Sequence, residues 1–146
     1  MVRVVRGGVP VLGALLALFV AAAGAATSGW YDESTSQALH LWVELNAGEI
    51  DAVYYGADYT GAAACRRADS PIAEELNPNH GLRPFAIHGS SFSTTITIAR
   101  EDTLRIQGAF KGKKLGGSFD ETFTEEGVTC TTGKVRFSGK LGSPPA

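Results

Sequence analysis

The sequence predicts an all-β fold: an antiparallel β-sandwich, or small barrel, of seven or eight short strands carrying one disulfide. Three observations lead there. Apolar residues recur at every second position over most of the chain after residue 27, helical periodicity is nearly absent, and turn residues separate the alternating runs. With 146 residues the chain has the length of one domain.

The first 26 residues read differently. Arg3 and Arg6 form a positive start, residues 9–23 carry no charge, and the run ends in Ala23-Gly24-Ala25-Ala26. That is the layout of a signal peptide cut after Ala25 or Ala26. An uncut anchor fits less well, because the apolar run is short, rich in Ala and Gly, and followed by no basic cluster. No cysteine precedes Cys65 to take a lipid, and no paired arginines mark a twin-arginine signal. The expected mature protein is therefore secreted, with a β domain over 27–141 and a disordered tail over 142–146.

The first hairpin is legible in the alternation. Leu39, Leu41, Val43 and Leu45 alternate with His40, Trp42 and Glu44, Asn46-Ala47-Gly48-Glu49 supplies a turn, and Ile50, Ala52 and Tyr54 resume. A tight reversal pairs Leu45 with Ile50, Val43 with Ala52 and Leu41 with Tyr54 on the apolar face. The polar face then pairs Glu44 with Asp51, Trp42 with Val53 and His40 with Tyr55. Residues 62–67 read as a helical turn or as the approach to a disulfide. Residues 69–84 hold Pro71, Pro78, Gly81 and Pro84 and read as a long loop, with one short helical turn at Ala73-Glu74-Glu75-Leu76.

A second set of strands follows. Phe92, Thr94, Ile96 and Ile98 lead through a turn at Arg100-Glu101-Asp102 to Leu104, Ile106, Gly108 and Phe110. The expected pairs are Ile98 with Leu104, Ile96 with Ile106 and Phe92 with Phe110. Lys111-Gly112-Lys113-Lys114 turns the chain into Leu115, Gly117 and Phe119, which sets Arg105 opposite Asp120. Glu121 would point inward beside Leu104, and a bulge near Asp120 or Glu121 is the expected remedy. Val135, Phe137, Gly139 and Leu141 form a last strand whose outer residues, Lys134, Arg136 and Lys140, are basic.

Cys65 and Cys130 are the only cysteines. In an exported chain thiols oxidise, and no second thiol or histidine stands at metal-ligand spacing, so a structural disulfide is expected.

The segment Ile106-x-Gly108-x-Phe110-x-Gly112, Gly116-Gly117-Ser118-Phe119 and Cys130-x-Thr132-Gly133-x-Val135-x-Phe137 resembles a group of small secreted β domains of high-GC Gram-positive bacteria that have no assigned function. The likeness covers roughly residues 92–141, and Phe137 stands where the group often carries Trp. It implies an extracellular β-sandwich with a Cys65–Cys130 bond, and it brings no catalytic or binding residues.

Charge narrows the partners. Without Arg3 and Arg6 the chain holds 11 basic and 15 acidic groups, a net charge of −4, which disfavours nucleic acid. No cofactor, no membrane attachment after cleavage and a monomer are expected. Lys111, Lys113, Lys114, Lys134, Arg136 and Lys140 could meet an anionic polymer such as a wall teichoic acid, or serve as edge lysines that block aggregation.

The candidate chemistry is sparse. Ser90 and Ser91 follow His88, but neighbouring strand residues face opposite ways and there is no Gly-x-Ser-x-Gly elbow. Glu44 and Asp51 with His40 are the best local metal set. Asp32, Glu33, Glu44 and Asp51 are the carboxylates available for glycoside hydrolysis. The stronger candidate is an outer-face ligand site of Trp42, His40, Tyr55, Glu44 and Asp51, an aromatic surface edged by hydrogen-bond acceptors. The competing reading is that a second sheet or the long loop covers Trp42 and makes it a core residue, as tryptophan is on average. The expected function is a secreted, non-catalytic module binding a cell-surface glycan or an extracellular protein, with carbohydrate the leading ligand. The alternatives are a small secreted hydrolase whose site lies between the Trp42 face and the 69–84 loop, and an inhibitor or assembly protein using that loop.

Overall fold

The computed structural model describes residues 25–60, Cys65 and residues 72–146. Residues 1–24 of the expected signal peptide over 1–26, all of 62–67 except Cys65, and residues 69–71 of the expected loop lie outside the described residues. The described chain is an antiparallel sheet of ten strand segments. They are β1 (Gly29–Thr35), β2 (His40–Asn46), β3 (Glu49–Ala57), β4 (Ile72–Leu76), β5 (Phe85–Ala86), β6 (Ser91–Ala99), β7 (Asp102–Lys111), β8 (Lys114–Glu125), β9 (Val128–Thr131) and β10 (Val135–Leu141).

The order across the sheet is β4-β3-β2-β1-β10-β8-β7-β6, with β5 added to β3 and β9 added to β8. Two meanders, β1 to β4 and β6 to β8, are thus joined by β10, which lies between β1 and β8. The sheet curls into a nearly closed barrel. Thr60 bridges to Thr131, bringing the end of the first meander to β9, and Phe85 meets Phe92 at 5.9 Å. The expected all-β architecture is therefore what the chain adopts.

The inward positions form one core. Tyr31, Leu41, Val43, Ile50, Val53, Tyr55, Leu104, Ile106, Leu115, Phe119, Val135 and Phe137 are all buried. The Cys65–Cys130 disulfide is present, with Cα atoms 5.4 Å apart, and both cysteines belong to this core. Three inward positions, Gly108, Gly117 and Gly139, are glycines where another chain segment comes too close for a side chain. A Cβ at Gly117 would stand 2.6 Å from Phe137 Cζ and would collide with the Gln107 carbonyl oxygen, while one at Gly139 would collide with the Asp32 carbonyl. Gly117→Ala is therefore expected to cost about 2 kcal/mol or more in urea unfolding. A loss under about 0.5 kcal/mol would show that the strands can move apart at little cost.

Four local expectations are corrected. The β2–β3 turn has positive φ at Ala47 (49°) and Gly48 (89°), the geometry of a tight two-residue hairpin. Leu45 pairs with Ile50 as expected, but the register shifts at Glu44, which pairs with Ala52. Asp51 is the extra residue, so Val43 meets Val53, Trp42 meets Tyr54 and Leu41 meets Tyr55. In β6–β7 the turn is tighter than expected: Ala99 pairs with Asp102, Ile96 with Leu104 and Phe92 with Gly108. That slip is two residues, so the faces are kept. Residues 72–76 form β4, paired to β3 from Val53↔Leu76 to Ala57↔Ile72, and are not helical. Strand pairing satisfies those backbone groups where one isolated helical turn would leave them open. Finally, no bulge restores the alternation at Glu121; Leu104 pairs with Glu121 and the carboxyl is buried.

Candidate functional site

Period-2 alternation sends Trp30, Asp32 and Ser34 of β1 to the outer surface, with His40, Trp42 and Glu44 of β2 and Tyr54 of β3. Cross-strand register aligns them: Trp30 with Glu44, Asp32 with Trp42, Ser34 with His40, and Trp42 with Tyr54. Trp30, Trp42 and Tyr54 are half-buried. The Trp30 and Tyr54 rings meet edge-on at 5.5 Å across β2, and Trp42 stacks on His40 at 5.1 Å with 15° between planes.

Polar contacts hold this surface in place. His40 Nδ1 lies 3.2 Å from Asp32 Oδ1, with both groups well exposed. Asn77 Nδ2 donates to the Tyr54 hydroxyl at 3.0 Å, so the segment after β4 docks on the edge of the aromatic row. Asn46 Nδ2 donates to Asp51 Oδ2 at 2.9 Å. Burial, followed by the charge of Asp51, raises the Glu44 carboxyl above the ordinary carboxylate range.

The candidate residues therefore separate. Trp42, His40 and Glu44 share the outer face, and Asp51 sits at the bulge close enough to act on Glu44. Tyr55 does not join them. The bulge turns it inward, where it is 1% exposed, and Tyr54 takes the outer place. Trp30 and Tyr54 were not legible as members of the site. Trp30 adjoins Tyr31, so β1 has an aromatic residue on each face, and Glu33 interrupts the apolar alternation that would mark the strand.

Among the described residues the expected metal set and one carboxylate pair do not come together. His40 contacts Asp32, and among the described residues no three His, Cys, Asp or Glu side chains converge as metal ligands. Ser34 faces His40 across the strands, but no hydrogen bond joins them among the described residues. Asp32 and Glu33 point to opposite faces, which separates that carboxylate pair across the barrel wall.

A second polar cluster lies inside. The Tyr55 and Tyr59 hydroxyls both donate to Glu121 Oε2 at 2.7 Å. Burial pushes Glu121 up to about 7, with the two tyrosines opposing the rise and Asp102 adding to it. Glu33 is fully buried with neither carboxyl oxygen hydrogen-bonded, and burial together with the Asp32 charge pushes it up to about 8. Among the described residues no helix is long and apolar enough to cross a membrane.

Comparisons with family models, curated proteins and solved structures return no match for the chain.

Proposed function

We propose that the protein is exported, trimmed near Ala26 or Thr27, and works as a non-catalytic carbohydrate-binding module at the cell surface. The observation that carries this reading is the outer row of Trp30, Trp42 and Tyr54. Three half-buried aromatic side chains share one sheet face with His40, Asp32 and Glu44 beside them. Aromatic rings offer apolar faces to the C–H side of a sugar, and the carboxylates accept hydrogen bonds from its hydroxyls. The disulfide supports an oxidising compartment, and the likeness of residues 92–141 to small secreted domains points the same way.

Incubation of the mature domain with a glycan and cell-wall array tests the reading. Trp42→Ala is expected to weaken binding of any glycan hit at least about tenfold, equivalent to about 1.4 kcal/mol. The same variant is expected to keep its stability within about 1 kcal/mol, because the indole stands on the outer surface. A stability loss of about 3–5 kcal/mol would instead make Trp42 a core residue and remove the platform. Intact mass of the protein from culture medium checks the export step: a mass that includes Met1 to Ala25 denies cleavage.

A further inference from the structure

The aromatic row does not end at β1. Following the register outward, Tyr54 pairs with Trp42, Trp42 with Asp32, Asp32 with Lys140, Lys140 with Lys114 and Lys114 with Lys111. One line across six adjacent strands therefore passes from aromatic to cationic side chains on the same outer face. Neighbouring strands lie about 4.8 Å apart, so the line spans about 24 Å.

The cationic half borders a groove. Gly116 pairs with Ala109 and Ser138 with Gly116, one step along the strands from Lys114, Lys111 and Lys140. Gly116 and Ala109 line a shallow groove of about 340 Å³ together with Gln107, Gly108 and Gly117, and the cations stand beside it and not in it. Arg136 stands one step beyond Ser138 on the far side. Among the described residues none of Lys111, Lys114, Arg136 and Lys140 has a carboxylate within ion-pair distance. Asp32, the acid nearest Lys140 in register, is taken up by His40.

A chain that carries a net charge of −4 without Arg3 and Arg6, yet gathers four unpaired cations on neighbouring strands of one outer face, is complementary to an anion there. We infer that the glycan bound is a linear anionic polysaccharide, with its acid groups on the row of Lys140, Lys114 and Lys111 and a sugar face on Trp42. This rests on the glycan reading above. Lysines, as flexible point charges, suit repeated charges along a polymer better than a single planar acid. A nucleic acid carries the same sign of charge, so single-stranded DNA enters the test as the competing occupant.

The test uses the mature domain with polygalacturonate, with the same polymer fully methyl-esterified, and with single-stranded DNA. Expected is binding to the acid polymer that weakens at least about tenfold toward 1 M salt, where the screening length falls to about 3 Å. Lys114→Gln/Lys140→Gln should weaken it similarly, while leaving binding of the ester unchanged; Trp42→Ala should weaken both polymers. Equal binding of acid and ester, or an unchanged double lysine variant, overturns the anionic assignment and leaves the aromatic platform standing. Loss in the lysine variant with none in Trp42→Ala overturns the platform instead, and with it the joint site. Tighter binding of DNA than of polygalacturonate, or binding of neither polymer, also overturns the inference.

Discussion

Removing the Cys65–Cys130 bond is expected to lower the stability of the protein by about 4 kcal/mol. The cysteines stand 65 residues apart, and cross-linking a loop of that length removes about 4 kcal/mol of chain entropy from the unfolded state. A domain of this size has a total stability of roughly 5–15 kcal/mol, so the loss takes a large share of it. Both cysteines sit in the core, which makes alanine a better replacement than serine: a buried hydroxyl without a partner would add its own cost. The bond ties β9 to the segment after β3, where the Thr60–Thr131 bridge also closes the barrel. Amide exchange in Cys65→Ala/Cys130→Ala is accordingly expected to rise first around Thr60 and Thr131. Guanidinium unfolding of that variant supplies the measurement, and a loss below about 1 kcal/mol would mean that the unfolded chain keeps these segments together without the bond.

That pairing was legible because it needed no topology, only two cysteines and the expectation that the chain is exported. The same holds for the strands of the second meander, whose apolar alternation is long enough to fix both the element and its face. The first hairpin shows where such reading stops. Ala52-Val53 and Tyr54-Tyr55 place like residues at adjacent positions, so the pattern fits either register, and nothing in it marks Asp51 as the extra residue. One unmarked bulge moved Tyr55 from the outer site to the core and put Tyr54 in its place. Glu121 was seen to point inward, but its partners Tyr55 and Tyr59 lie 66 and 62 residues away in the chain. Without that long-range contact an inward glutamate reads as a fault in the strand. Glu33 lies deeper still, because its burial contradicts every local preference of its residue type.

Glu33 underlies the remaining large effect, a stability that falls as pH rises. A glutamate ionises at about 4.5 in the unfolded chain, whereas burial holds Glu33 protonated up to about 8 and Glu121 up to about 7. Below about pH 4.5 both states carry the proton, and the folded form bears no ionisation cost. Between there and neutrality the unfolded state releases protons that the folded state keeps, so stability declines by as much as about 1.4 kcal/mol per pH unit for each group. The decline ends for Glu121 near pH 7 and for Glu33 near pH 8, and for Glu33 it totals on the order of 3–5 kcal/mol. Replacing Glu33 with methionine removes both the ionisable group and two buried oxygens without hydrogen bonds, in a core already lined by Leu41. Glu33→Met is thus expected to be more stable than the native protein at pH 8, with the advantage shrinking toward pH 5 as the native carboxyl ceases to oppose folding. Urea unfolding of both proteins across that range decides it, and a difference between them that does not grow with pH would place Glu33 in contact with solvent.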